Sequence, residues 1–308
     1  MLTLAAALLL SPVSTPVQLA STPAPLHGTL LTPAGQTRAA AVILPGSGPT
    51  DRDGNSAQFG IRAAPYRLLA EGLAERGVAT IRIDKRGIGE SAAAGGAEAD
   101  LRFSAYADDA RAWAAEAAAK TGRPCAWLIG HSEGALVALV AAADDGDKVC
   151  GLVLLSGAGR PAGVVLREQL AAGLPEALKA RANEILGELE AGRTVADPPA
   201  ELAALFRPSV QPYLISWLAL DPAQLAAAYD GPIFVGQGTT DIQVSVTDAE
   251  AIKAAQPRAD LVIWDGVNHV LKTAPADRAA NVATYMDPAL PLAPGVVEAV
   301  ADFMLKTR

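Results

Sequence analysis

The chain has 308 residues, of which 51% are hydrophobic and 19% charged, and its formal net charge is −8. This length and apolar content suffice for one sizeable domain with a large core, with room for an insertion. The acidic balance argues against nucleic acid and anionic membrane surfaces as partners.

The first 25 residues differ in character from the rest. Residues 2–10 form an apolar run that is too short to span a bilayer, and residues 11–25 are rich in Ser, Thr and Pro. This order is typical of a signal peptide and a tether, with Ala20 or Ala24 as cleavage sites, although no Lys or Arg precedes the run. We therefore expect no stable membrane span and a periplasmic or secreted protein, with a cytoplasmic protein as the alternative.

Strand and helix patterns alternate from residue 26 onward. Apolar, branched segments without polar alternation predict buried strands at residues 27–32, 39–44, 78–83, 125–130, 149–155, 232–237 and 261–264. Alternation of such strands with helices is typical of a mostly parallel sheet covered on both faces. The sequence thus predicts an α/β fold whose core comprises residues 26–159 and 231–308.

Residues 160–230 interrupt this alternation. They contain only helical segments, separated by Gly and Pro, and we interpret them as a helical lid inserted over the carboxyl edge of the sheet, where open α/β sheets bind ligands. Four apolar side chains are candidates for a substrate cavity, with packing on the core as the alternative: Leu205, Phe206, Tyr213 and Trp217.

The stretch WLIGHSEGALV, residues 127–137, predicts a strand, a sharp turn and a helix. Glycines two residues before and after Ser132 fit a turn so tight that a Cβ at either position would collide with the backbone. Ser132 then stands at a helix N-terminus, where an oxyanion is favoured. This arrangement indicates a nucleophilic serine.

A serine nucleophile needs a base, and the chain has three histidines. His131 is adjacent to Ser132, so its side chain points elsewhere, and His27 lies in a predicted strand far from the turn. His269 follows the last predicted strand in a turn-rich loop at the same sheet edge, so we predict it as the general base.

The base requires a carboxylate that orients it. Asp241 emerges where the strand at residues 232–237 ends, and the order Ser132, Asp241, His269 suits a nucleophile elbow. Asp265 is the second candidate, whereas Asp248 fits better as a charge at a helix start.

The oxyanion requires two N–H donors. We predict one from the backbone of Glu133 and one from Ser47, with Gly46 as the alternative, because the loop PGSGP follows the strand at residues 39–44. The Glu133 side chain itself suits either recognition of an amine or pairing with a cation.

The two cysteines, Cys125 and Cys150, form neither a disulfide framework nor a metal site. Both precede predicted buried strands, so small buried hydrophobic residues are the default interpretation. A disulfide between adjacent strands is the alternative in an exported protein.

GHSEG, Asp241 and His269 together resemble the α/β-hydrolase superfamily, and DKRGIGES (residues 84–91) resembles its serine aminopeptidase and monoacylglycerol lipase-like branch. The segments LPGSGPTDRDGN, LIGHSEGA, GQGTTDIQVSV and NHVLK are similar to bacterial carboxylesterases of the EstD type. The resemblance covers residues 26–308, although Pro45 stands where the family often has histidine. It implies hydrolysis of short- to medium-chain carboxylic esters under a lid, without metal or cofactor.

Three functions follow from these observations. The first is a serine carboxylesterase acting on a small-molecule ester. The second is an aminopeptidase or amidase with the same triad, which needs an anionic pocket for an amine; Glu133, Glu168, Glu184 and Glu188 are its candidate acids. The third is a binding module that kept the fold without the chemistry.

Overall fold

An eight-stranded sheet forms the centre of the protein in a computed structural model that describes residues 11–143 and 147–307. Its strands are β1 Val13–Leu19, β2 Leu26–Thr32, β3 Ala39–Leu44, β4 Val78–Ile83, β5 Ala126–His131, β6 Val149–Leu155, β7 Ile233–Gly238 and β8 Asp260–Trp264. The strand order is β1-β2-β4-β3-β5-β6-β7-β8. The pairs β1–β2 and β2–β4 are antiparallel and the others are parallel, which confirms the predicted mostly parallel α/β sheet.

Helices cover both faces of the sheet, so every residue of β3, β4 and β5 is buried and these strands lack polar alternation. The helices outside residues 160–230 are α1 Pro65–Glu75, α2 Phe103–Thr121, α3 Glu133–Ala143, α9 Val246–Ala255, α10 Arg278–Ala283 and α11 Val296–Lys306. Leu69 of α1 and Val300 of α11 share one hydrophobic cluster with Ile129 of β5. Trp113 of α2 and Leu139 of α3 belong to the cluster on the opposite face.

The edge strand β1 corrects the prediction of a tether over residues 11–25. Val13–Leu19 pairs along its whole length with β2, and Val17 is buried. Pro16 suggested a linker, but an edge strand tolerates proline because the missing N–H can face solvent. Cleavage at Ala20 or Ala24 would remove this strand. The apolar run at residues 2–10 lies outside the described residues.

Five α-helices lie between β6 and β7, where the sequence predicted only helices: α4 Ala162–Gly173, α5 Glu176–Glu190, α6 Ala203–Phe206, α7 Gln211–Leu218 and α8 Pro222–Ala228. Ile185 and Leu189 of α5 are buried in the same cluster as α2 and α3. The helical segment therefore shares its core with the sheet. None of the helices in the described ranges combines the length and apolar character needed to cross a membrane.

A disulfide joins Cys125 and Cys150, whose Cα atoms are 5.2 Å apart. The default prediction of two unpaired buried cysteines is therefore wrong. Ala126 lies opposite Val149 in the parallel register of β5 and β6, which brings the two sulfurs together at the amino ends of adjacent strands. Ser132 follows the opposite end of β5, so the disulfide is remote from it.

Candidate active site

Ser132 occupies a sharp turn between β5 and α3, as predicted. Its φ angle is 55°, in the left-handed region that non-glycine residues rarely adopt. A Cβ at Gly130 would collide with the backbone of Gly134, and one at Gly134 would collide with the carbonyl of Leu44 in β3. The two glycines thus let the turn pack against the sheet. The N–H of Ser132 donates to the carbonyl of Leu155 at 2.9 Å, which fixes the turn to β6.

His269 and Asp241 form a buried hydrogen-bonded pair. His269 Nδ1 lies 2.8 Å from Asp241 Oδ2, and the aspartate side chain is fully enclosed. Burial alone would raise the pKa of Asp241, but the His269 charge and hydrogen bond, with the amides of Val244 and Gln243, lower it overall. Because an ionised carboxylate only accepts, Nδ1 carries the proton and the neutral ring has its acceptor at Nε2.

The two other candidate acids lie elsewhere. Asp265 accepts a hydrogen bond from Thr239 Oγ1 at 3.0 Å. Asp248 caps α9 through Ser245 and binds Arg160 at 2.8 Å, in agreement with its predicted place at a helix start. Of the three aspartates, Asp241 is the one bonded to His269.

Ser132 and His269 lie on the same rim of the sheet. The ring of His131, next to the serine, is 4.7 Å from the ring of His269 between centroids. Within the described residues, Ser132 Oγ and His269 Nε2 form no hydrogen bond with each other or with another side chain. Both atoms thus keep their hydrogen-bonding capacity, and in unliganded enzymes the serine–histidine bond is often long and shortens when substrate binds.

His131 is not a base but the centre of a hydrogen-bonded chain. Its Nε2 lies 2.7 Å from the carbonyl oxygen of His269, so Nε2 must carry the proton. In the neutral ring Nδ1 is then an acceptor, and the hydroxyl of Tyr66, 2.8 Å away, donates to it. The Tyr66 oxygen accepts in turn from the N–H of Gly46 at 3.0 Å. One chain therefore connects the loop after β3 to the loop of His269.

Burial keeps His131 neutral. Desolvation, followed by the repulsion of a charged His269, lowers the pKa of His131 to about 3. An uncharged ring at this position does not oppose formation of an imidazolium on His269.

Ser47 and Glu133 line the same cavity as Ser132, as expected for the two N–H donors. Of the two candidates in the loop after β3, Gly46 has its N–H bound to Tyr66, whereas no described residue accepts from the N–H of Ser47. Glu133 is the first residue of α3, so its N–H has no partner within that helix. Within the described residues, the N–H of Ser47 therefore has no acceptor, and that of Glu133 has none inside α3.

The cavity beside Ser132 has a volume of about 80 Å³ and an apolar wall formed by Leu136, Ala162, Val165, Leu166, Trp217 and Pro222. Trp217 is the one predicted cavity residue that lines it. Phe206 and Tyr213 are buried in the hydrophobic core, and Leu205 packs against that core. None of these three residues lines this cavity, and an apolar helix face by itself does not distinguish contact with the core from contact with a cavity.

The charged groups at the cavity are paired. Glu133 Oε1 lies 3.5 Å from Lys85 Nζ, and Arg160 binds Asp248 and Glu168. The other acids proposed for an amine pocket also pair with arginines, Glu184 with Arg181 and Glu188 with Arg193. Of these acids, Glu133 alone lines this cavity, at the limit of hydrogen-bonding distance from Lys85.

The polar loop after β3 is held by ion pairs and hydrogen bonds. Arg52 binds Asp84 at 2.5 Å, and Arg82 pairs with Asp53. Asp51 Oδ1 accepts from the N–H of Asn55 at 2.8 Å. This network fixes the loop to the end of β4.

Two residues to which no sequence motif assigns a partner, Tyr66 and Lys85, contact the loop of Ser47. Tyr66 binds the N–H of Gly46, and Lys85 Nζ lies 2.6 Å from the Gly46 carbonyl oxygen. Nothing local marks Tyr66, which is the second residue of the amphipathic helix α1. Lys85 lies between Asp84 and Arg86 in the segment DKRGIGES, which resembles a family motif. The motif does not indicate which group Lys85 binds.

The sequence matches the family described as "Serine aminopeptidase, S33" over residues 59–281, which is more than half of the chain. The chain therefore belongs to this family of α/β hydrolases. No curated protein matches the sequence significantly.

Solved esterases share the fold. Est1E from Butyrivibrio proteoclasticus has a TM-score of 0.59 at 18% identity, covering 95% of this chain and 98% of its own. An esterase from Pyrococcus furiosus, Pf2001, has a TM-score of 0.60 at 18% identity, covering 97% and 92%. The esterase domain of a Rhodothermus marinus protein has a TM-score of 0.58 at 18% identity, covering 96% and 98%. At these identities the likeness is one of fold.

Proposed function

We propose that the protein is a serine hydrolase that cleaves carboxylic esters through an acyl-enzyme on Ser132. The observation that carries this proposal is a strained serine that lines one cavity with Ser47 and Glu133, while the adjacent His131 binds the backbone of a histidine that is itself bonded to a buried aspartate. Ligand binding alone does not require a serine with strained, left-handed backbone angles, nor a histidine whose Nδ1 carries the proton and whose Nε2 is free.

In this mechanism His269 Nε2 accepts the proton of Ser132 while the serine oxygen attacks the ester carbonyl. Asp241 stabilises the resulting imidazolium, and the two N–H groups stabilise the tetrahedral oxyanion. The imidazolium then protonates the leaving alcohol. Water enters with His269 as the base, and the acid product leaves Ser132 free again.

The cavity favours esters with a small apolar acyl group. Its volume of about 80 Å³ is below the roughly 300–1,000 Å³ typical of drug-sized ligands. Trp217 and Val165 supply apolar contact, and the helical segment acts as a lid that limits entry of water. Est1E has been solved with ferulic acid bound, and aromatic acids belong among the acyl groups to assay.

The test is a series of p-nitrophenyl esters from acetate to palmitate, assayed with the parent protein and with Ser132→Ala. We expect turnover to be highest for short and medium chains and to fall by about three orders of magnitude or more in the variant. Amino-acyl p-nitroanilides separate the second function: if they turn over faster than every ester, the protein is an aminopeptidase. Absence of turnover on both classes would favour a binding module.

We also propose that the protein works in an oxidising compartment, the periplasm or the medium. The disulfide between Cys125 and Cys150 supports this, because such bonds persist there and are rare in the cytosol. Fractionation of cells expressing the full chain tests it. Recovery outside the cytosol without free thiols is expected, and a cytosolic protein with both thiols free would contradict it.

A further inference from the structure

Lys85 is a buried lysine whose main partner is a backbone carbonyl of the loop after β3. This loop, residues 45–49, contains Ser47 and is called the oxyanion loop below. It follows the carboxyl end of β4 and is 6% exposed. Its Nζ donates to the carbonyl oxygen of Gly46 at 2.6 Å, the length of a strong charge-assisted hydrogen bond. The ester mechanism above gives this lysine no role.

The Gly46 carbonyl belongs to the same peptide unit as the N–H of Ser47. In a trans peptide the C=O and the N–H point in opposite directions, so fixing one fixes the other. With the carbonyl directed to Lys85, the N–H is directed away from the lysine. Ser47 lines the cavity of Ser132, where this N–H is needed.

We propose that Lys85 is a positioning residue of the oxyanion hole, which orients and polarises the Gly46–Ser47 peptide so that the Ser47 N–H stabilises the tetrahedral intermediate. A cation on the carbonyl strengthens the N–H at the other end of the peptide as a donor, because hydrogen bonds in a chain polarise one another. This inference rests on the proposed ester hydrolysis.

The other side of Gly46 is fixed as well. Its N–H donates to Tyr66, so both polar groups of this residue have buried partners. A Cβ at Gly46 would lie 3.1 Å from the Cβ of Ser132, which shows how closely the loop approaches the nucleophile. Free rotation of this loop is thus prevented at two points, one neutral and one charged.

Glu133 balances the charge of Lys85 but is the weaker partner. Its Oε1 is 3.5 Å from Nζ, at the limit of a hydrogen bond, and the ring of Tyr106 lies 5.3 Å from the same nitrogen. A lysine placed only to pair with Glu133 would be expected to approach it more closely than a neutral carbonyl. Lys85 Nζ is closer to the Gly46 carbonyl oxygen than to Glu133 Oε1, so we regard the carbonyl as its main partner.

The test compares Lys85→Met with the double variant Lys85→Met/Glu133→Gln, which leaves no unpaired buried carboxylate. Full loss of one oxyanion donor lowers kcat about 10²- to 10³-fold. Because the Ser47 N–H stays present but less well oriented, we expect kcat to fall about 10- to 100-fold in both variants, with KM within about threefold of the parent. Lys253→Met is the matched control, since Lys253 also binds backbone carbonyls but on α9, away from the cavity.

A second readout separates positioning from a general structural role. A trifluoromethyl ketone forms a tetrahedral adduct with an oxyanion, and its inhibition constant should rise by the factor by which kcat/KM falls. The matching methyl ketone should bind about equally to all variants. If the double variant melts like the parent and keeps kcat within about threefold, the inference is wrong. If the parent hydrolyses no ester, it is the proposed function that fails.

Discussion

His131 Nε2–H donates a hydrogen bond of 2.7 Å to the backbone carbonyl of His269, although the two residues are 138 positions apart. The histidine beside the nucleophile thus fixes the loop of the proposed base to the nucleophile turn. Through Tyr66 the same ring is connected to Gly46 in the oxyanion loop. Three chain segments that carry the proposed site residues are therefore joined at one buried, neutral side chain.

Tyr66→Phe should lower both activity and stability. The change removes the acceptor of the Gly46 N–H and the donor to His131, and a buried polar group left without a partner costs about 1–3 kcal/mol. We expect kcat to fall about tenfold, because the oxyanion loop loses one of its two attachments. Kinetics and urea unfolding measure the two effects.

Tyr229→Phe is the matched control. The hydroxyl of Tyr229 has no hydrogen bond to a described side chain, and the residue lies at the end of α8. It should keep the activity and nearly all of the stability of the parent. Equal effects of the two substitutions would contradict a specific role for the Tyr66 hydroxyl.

The free energy of unfolding should fall as the pH drops below about 6.5, in part because of His131. Its pKa is lowered from 6.5 to about 3 in the folded protein, so between these values the unfolded chain binds more protons. The contribution is fully present above pH 6.5 and is lost toward pH 3. About 2 kcal/mol of it should be gone at pH 5, at roughly 1.4 kcal/mol per pH unit.

His131→Gln removes this titration while keeping a polar side chain. Urea unfolding at pH 7 and pH 5 should therefore show a smaller pH dependence in the variant than in the parent. The two proteins differ only at this side chain, so the difference between their pH dependences reports on His131. A parent and variant with the same pH dependence would mean that His131 is not held neutral by the fold.

Asp241→Asn should lower kcat about 10⁴-fold, because an amide no longer holds His269 in the tautomer with a free Nε2. Asp265→Asn is the matched control, since Asp265 binds Thr239 and not the histidine. Its kcat should stay within about threefold of the parent. A larger loss in Asp265→Asn than in Asp241→Asn would reverse the assignment.

Trp217→Ala and Phe206→Ala should have different effects, the first on the preferred ester and the second on the stability of the protein. Trp217 lines the cavity, so its truncation should shift the preferred p-nitrophenyl ester toward longer acyl chains. Phe206 is fully buried, and its truncation should cost about 3–5 kcal/mol of stability without changing the preference. A chain-length profile unchanged in Trp217→Ala would place the acyl group elsewhere.

Part of the candidate site was predictable because some short sequence patterns are compatible with only one local structure. Glycines on both sides of Ser132 permit a turn that other residues cannot form, and chain order assigned Asp241 and His269 to later loops at the same edge. Asp241 follows β7, His269 follows β8, and the two side chains are bonded to each other.

The remainder depends on contacts between distant segments. Tyr66 and Lys85 reach Gly46 across 20 and 39 residues, and no local pattern records such a partner. The strand containing Pro16 looked like a linker because of its Ser, Thr and Pro content, and only its pairing with β2 identifies it as an edge strand. The disulfide could not be predicted because it requires that β5 and β6 pair in one particular register. Neither strand's sequence alone determines that register.

The most direct test of the central claim is mass spectrometry of the intact protein and its peptides after reaction with a fluorophosphonate. We predict one adduct, located on Ser132, formed at a rate that falls sharply in His269→Ala and accompanied by complete loss of ester hydrolysis. An unlabelled Ser132 in a protein that still hydrolyses esters, or a label on another serine, would contradict the account.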